Sequence, residues 1–127
     1  MKRLGLLFSV MFVVASLHAA AFEKEALSRT TTVQLSAEKP LVVGNNVIDL
    51  ALTREGKVLS DATVVVKAFM PAMPGMPYME SKVTAAPLGK GHYRVELNFS
   101  MGGTWQIHIF VTPKEGKKVR IKTSVNL

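Results

Sequence analysis

The sequence contains no cysteine. A disulfide-stapled scaffold is thereby excluded, and so is any thiolate metal site. Lipid attachment through a cysteine behind the leader is excluded for the same reason. Acidic residues are scarce, 9 against 16 Lys and Arg. With 127 residues the chain has material for one domain, so a large multidomain enzyme is ruled out. At 48% hydrophobic it is too apolar for intrinsic disorder.

Long hydrophobic runs are also missing, with one exception. Met1-Lys2-Arg3 is basic, Leu4 to Leu17 is almost wholly apolar, and Ala19-Ala20-Ala21 supplies small residues. This is the pattern of a secretory signal peptide, and the apolar run is shorter than the roughly 20 residues that span a bilayer. Cleavage at or near Ala21 is expected, giving a periplasmic chain with no membrane association. The alternative is an uncleaved N-terminal anchor. The expected organisation is 1–21 signal peptide, 22–30 flexible mature N-terminus and 31–127 β-sandwich.

Removing Lys2 and Arg3 with the leader leaves 14 cations against 9 acids, net +5. Lys114, Lys117, Lys118, Arg120 and Lys122 carry much of that excess. Such a cluster suits nucleic acid or anionic lipid, or a solvated strand edge on which lysines discourage pairing. No aromatic residues interleave these lysines to stack bases, and no nucleic-acid partner is expected.

Behind the leader no helical period appears. Alternation of period two dominates, as half-buried strands require. It runs through Val33-Leu35-Ala37, Ile48-Leu50-Leu52, Tyr93-Val95-Leu97-Phe99, Trp105-Ile107-Ile109-Val111 and Val119-Ile121-Thr123-Val125. Asp61 to Phe69 is a β-branched run, and Lys82 to Ala86 a shorter candidate. Turn signals separate them at 44–46, 54–57, 88–91, 101–103 and 113–116. Seven short strands predict a seven-stranded immunoglobulin-like antiparallel β-sandwich with Trp105 in its core.

One segment breaks the pattern: Met70-Pro71-Ala72-Met73-Pro74-Gly75-Met76-Pro77-Tyr78-Met79. Four of the seven methionines stand there at every third position, and Met101 occupies a loop of its own. Thioether sulfur is a soft, neutral donor with no proton to lose. It suits Cu(I), and by the same softness Ag(I), and is poor for Zn, Mg or Ca. In continuous polyproline II the sulfurs would lie about 9 Å apart along one edge, at roughly 3.1 Å per residue. A type II turn at Met73-Pro74-Gly75-Met76 brings its end Cα atoms within about 7 Å. Met73 and Met76 could then share an ion, with Met70 and Met79 lower on the two arms. In a seven-strand order the loop holding Met101 falls at the same end. The candidate metal ligands are Met70, Met73, Met76, Met79 and Met101. The same loop could instead be an adaptable contact surface, with Pro71, Pro74, Pro77 and Tyr78 as partner-binding residues, or a packed lid.

Gly91-His92-Tyr93-Arg94-Val95 followed by Gly102-Gly103-Thr104-Trp105-Gln106-Ile107-His108-Ile109 resembles the core of YtkA-like/FixH-type domains. The resemblance covers roughly Val47 to Val111 and implies an exported or membrane-anchored immunoglobulin-like domain. It further implies copper handling, with a heavy-metal efflux adaptor or a copper-oxidase assembly protein as partner. Many YtkA-like members have His in the loop; this sequence has none between Met70 and Met79, which shifts the expected ion from Cu(II) toward Cu(I) or Ag(I). A metal-free assembly module is the second reading of the same resemblance.

Enzyme signals are sparse. No Gly-rich phosphate loop leads from a strand into a helix, and no carboxylate pair suggests acid–base work. No catalytic residue, enzyme activity or organic cofactor is expected. Treating the segments around Met101-Gly102-Gly103 as a hairpin puts His108 near Arg94 or Glu96 and His92 near Phe110 to Thr112. Both read as surface residues. Glu80 lies beside Met79 and could meet a bound cation.

Overall fold

The computed structural model describes residues 21–127. The expected signal peptide, apart from Ala21, lies outside the described residues. Ten strands follow in order: β1 (Phe22–Ser28), β2 (Thr31–Ala37), β3 (Gly44–Arg54), β4 (Lys57–Val58), β5 (Thr63–Met70), β6 (Met79–Thr84), β7 (Ala86–Gly89), β8 (His92–Phe99), β9 (Thr104–Thr112) and β10 (Val119–Asn126). One sheet has the order β1-β2-β3-β8-β7, with β4 attached to β3, and the other β10-β9-β5-β6. Every pairing is antiparallel. Among the described residues no helix is long and apolar enough to cross a membrane.

The apolar alternation dictates this architecture. Each strand turns every second residue inward, and the two inner faces close on one another. Leu35, Ile48, Leu50, Leu52, Tyr93, Val95, Leu97 and Phe99 come from one sheet; Val64, Val66, Ala68, Trp105, Ile107, Ile109, Val111 and Ile121 come from the other. Trp105 is the largest fully buried side chain, in edge contact with Phe99 at 5.4 Å between ring centroids. Its indole N–H donates to the Met101 carbonyl at 3.0 Å, which fixes the loop before β9. Tyr93 secures the opposite end. Its hydroxyl lies against the Leu59 and Ser60 carbonyls and accepts from the Ala62 N–H, tying the β4–β5 connection to β8.

Three expectations are corrected. Each of the seven predicted strands overlaps an observed one, but the Lys82–Ala86 candidate is displaced to Met79–Thr84 with Ala86 in β7, and β1, β4 and β7 are added, so the count of seven is wrong. Phe22–Ser28, expected to be a flexible tail, pairs along its whole length with β2. Its Phe22, Lys24 and Ala26 turn inward, and the Lys24 ammonium donates to the Ser124 carbonyl of β10 at 2.6 Å. Finally, β8 and β9 do not form a hairpin. β8 pairs with β3 and β7, β9 pairs with β5 and β10, and residues 100–103 cross from one sheet to the other. Alternation fixes which face a strand buries, and a hairpin and a crossover bury the same residues here.

Candidate functional site

The Met-Pro segment is the β5–β6 hairpin. Met70 and Met79 are ladder partners where the two strands end. Beyond them the ladder is interrupted by Pro71 and Pro77, because proline has no N–H to give. It resumes at the tip. The Met73 N–H donates to the Met76 carbonyl at 2.9 Å, and the Met76 N–H to the Met73 carbonyl at 2.8 Å. Pro74 and Gly75 fill the turn between them, with Gly75 at φ 82°. That is the left-handed value a type II turn demands at its second central residue, so the turn read from the sequence is present. Two residues exchanging both hydrogen bonds have Cα atoms about 5.5 Å apart.

The five methionines divide into two sets. At the tip, Met73 is 52% exposed and Met76 half-buried. At the base, Met70 is buried in the core, while Met79 and Met101 pack half-buried against it. The crossover loop closes over this base. The Ser100 hydroxyl donates to the Met79 sulfur at 3.1 Å. The Met70 methyl approaches Gly103 so closely that a Cβ there would lie 3.1 Å from it. Met101 therefore does share an end of the sandwich with Met70 and Met79, although the strand count behind that expectation was wrong.

No charged residue stands between Met70 and Met79. Glu80 sits across from Phe69 on the outer face and accepts a hydrogen bond from the Tyr78 hydroxyl at 2.8 Å. Strand alternation turns it away from the Met79 side chain. That hydrogen bond, with a smaller part from desolvation and the Glu80 charge, raises the Tyr78 pKa above its usual value. The Tyr78 ring stacks on Phe69 at 6.0 Å, so it braces one arm of the hairpin. Pro71, Pro74 and Pro77 are exposed beside it.

Sequence reasoning misplaced His108. Because β9 lies between β5 and β10, His108 faces Lys67 and Lys122 rather than Arg94 or Glu96. It meets Phe69 edge-on at 4.9 Å and Phe110 at 6.2 Å. Desolvation, then the charges of Arg120, Lys67 and Lys122, lower its pKa below the usual 6.5. His92 sits across from Ala51 on the other sheet, not near Phe110. Among the described residues no group of three or more His, Asp or Glu is arranged to hold a metal ion. Ser100 was missed, and only its position beside Met101 could have signalled it.

The fold and this end of it define a class: a two-sheet antiparallel sandwich bearing a methionine hairpin. A family model described as YtkA-like matches residues 25–110, from within β1 through most of β9. The chain belongs to the YtkA-like family. Among solved structures it is similar to the PmoD soluble domain from Methylocystis sp. ATCC 49242 (Rockwell), at 11% identity and a TM-score of 0.52. That match covers 80% of this chain and 95% of the other, and at such low identity it shows the shared fold alone. A search of the curated proteins finds no match.

Proposed function

We propose that this chain is an exported, immunoglobulin-like periplasmic domain that binds Cu(I) or Ag(I) through its methionine hairpin and hands the ion to a partner. The observation that carries the reading is the reciprocal hydrogen bonding of Met73 and Met76 across the Pro74-Gly75 turn. It holds the backbones of two thioether residues opposite one another at the tip of a hairpin. Methionine has three rotatable side-chain bonds, so both sulfurs can turn to one ion. Soft donors free of protons select a soft monovalent ion and keep their affinity across pH.

In this reading Met73 and Met76 are the first donors. Met79 and Met101 stand behind them as donors that complete the site once Ser100 releases the Met79 sulfur. Met70 supports the base from within the core. A two-sulfur site at an exposed tip binds weakly enough to exchange ligands with an acceptor, a heavy-metal efflux adaptor or a copper-oxidase assembly protein by the resemblance. Pro71, Pro74, Pro77 and Tyr78 form the rim that such an acceptor meets. A metal-free assembly module is the second reading, favoured by the exposure of that same rim.

The test replaces Met73 and Met76 together by Leu. Volume and apolarity are nearly conserved, so the cost in stability stays under about 1.5 kcal/mol. Calorimetric titration with Ag(I) is expected to lose at least tenfold in affinity, about 1.4 kcal/mol. Unchanged affinity in a folded double variant rejects the proposed donors. Retained partner binding without any metal response favours the assembly module.

A further inference from the structure

At the end of the sandwich opposite the hairpin, the terminal strands of the two sheets frame a cleft of about 590 Å³. Arg29 and Leu27 line one wall; Lys117, Lys118, Arg120 and Lys122 line the other. Among the described residues five cations thus share one cleft, and no carboxylate lines it. Like charges gathered this way repel one another and raise the local anion concentration. From this geometry we infer that the cleft docks an acidic, extended segment of a partner protein.

Three features favour that occupant. Among the described residues β1 and β10 are sheet edges, each paired on one side only, so their backbones can receive a further strand. Lysines along an edge repel basic strands, discourage pairing with neutral ones because the ammonium groups would be desolvated, and attract an acidic one. The clamp from Lys24 to Ser124 closes the seam farther along β10 and leaves the Val119–Lys122 stretch to the cleft. Leu27 is 65% exposed on the cleft wall, an apolar contact for a side chain of the incoming segment. The rings of Phe110 and His108 stand on the outer face beside Arg120 and Lys122, with the Lys118 ammonium 5.1 Å from the Phe110 ring centroid, so stacked bases are the alternative that the oligonucleotide arm of the test addresses.

The cleft and the hairpin lie at opposite ends of β5 and β9, so a partner can hold the first without covering the second. This docking is independent of metal, and its failure leaves the methionine site untouched.

The test is titration of the ¹⁵N-labelled chain with a blocked peptide of six glutamates, followed by amide shifts. Shifts confined to Arg29 and residues 117–122 are expected. Joint replacement Lys118→Glu and Arg120→Glu is expected to weaken binding at least about tenfold. Arg29→Gln, on the other wall, weakens it in the same direction; Lys82→Glu, outside the cleft, leaves it unchanged. All four side chains are exposed, and an unaltered thermal midpoint checks the fold. Parallel arms use inorganic phosphate, phosphatidylglycerol–phosphatidylcholine vesicles and a single-stranded oligonucleotide. Peptide binding that ignores the cleft variants overturns the proposal. So does saturation by phosphate alone, or binding of vesicles or oligonucleotide without binding of the peptide.

Discussion

The two ends of this sandwich are made by different means. At the sulfur end the backbone does the arranging: a two-residue turn, prolines that interrupt the ladder, and a crossover loop packed on the hairpin base. No charge lies between Met70 and Met79. At the cationic end the side chains do the arranging, projecting from exposed positions just before and along the start of β10 and from the β1–β2 turn. A site built on backbone hydrogen bonds fails when one turn residue is changed. A site built on many exposed charges loses affinity by increments. The comparison is therefore one between a brittle site and a graded one, joined by a common core.

Changes to that core make the largest difference, because they remove both ends together. Trp105→Ala deletes the largest buried side chain and its bond to Met101, and a loss of about 3–5 kcal/mol is expected by urea denaturation. Tyr93→Phe is more selective. It strips the hydroxyl that holds residues 59–62, for an expected loss of about 1–3 kcal/mol, while Ag(I) affinity stays unchanged. If Ag(I) affinity falls with it, the two ends are not independent.

Gly75→Ala breaks the sulfur end without touching a sulfur. Gly75 has φ 82° and open space around it, so the cost is backbone strain at the turn, about 1 kcal/mol. Ag(I) affinity is expected to fall although every methionine is present. An unchanged affinity means the turn does not organise the donors.

The smallest effect concerns His108, between the two ends. Its pKa is lowered by desolvation and by neighbouring cations. A base whose folded pKa is depressed takes up its proton more readily when unfolded. Its contribution to stability is thus present above the unfolded pKa of about 6.5 and is lost as pH falls through that value toward the folded one. Arg120→Gln should raise the His108 midpoint in an NMR titration and flatten that slope. A midpoint that does not move removes Arg120 from the causes of the shift and leaves desolvation with Lys67 and Lys122.

Much of this was legible in the sequence. The five alternating strands, the β-branched β5 and the tip turn follow from residue order, because pleat and proline–glycine geometry are local. β1 escaped because its alternation is blurred: Lys24 turns inward to bond Ser124, while Leu27 points to solvent. β7 escaped because residues 88–91 read as a turn and Ala86 as the end of the preceding strand. Sheet membership of β8 and β9 was hidden for a deeper reason. Their shared pattern sets which residues are buried and says nothing of which strands are neighbours. The cationic cleft was half legible, since Lys117, Lys118, Arg120 and Lys122 stand close together in sequence but Arg29 arrives from far away in the chain.

The most direct test of the thioether site labels the methionine methyl groups with ¹³C and titrates the chain with Ag(I). The Met73 and Met76 methyl signals are expected to shift together and saturate at one ion per chain, with Met70 least affected. Saturation with the two tip methyls unmoved would contradict it.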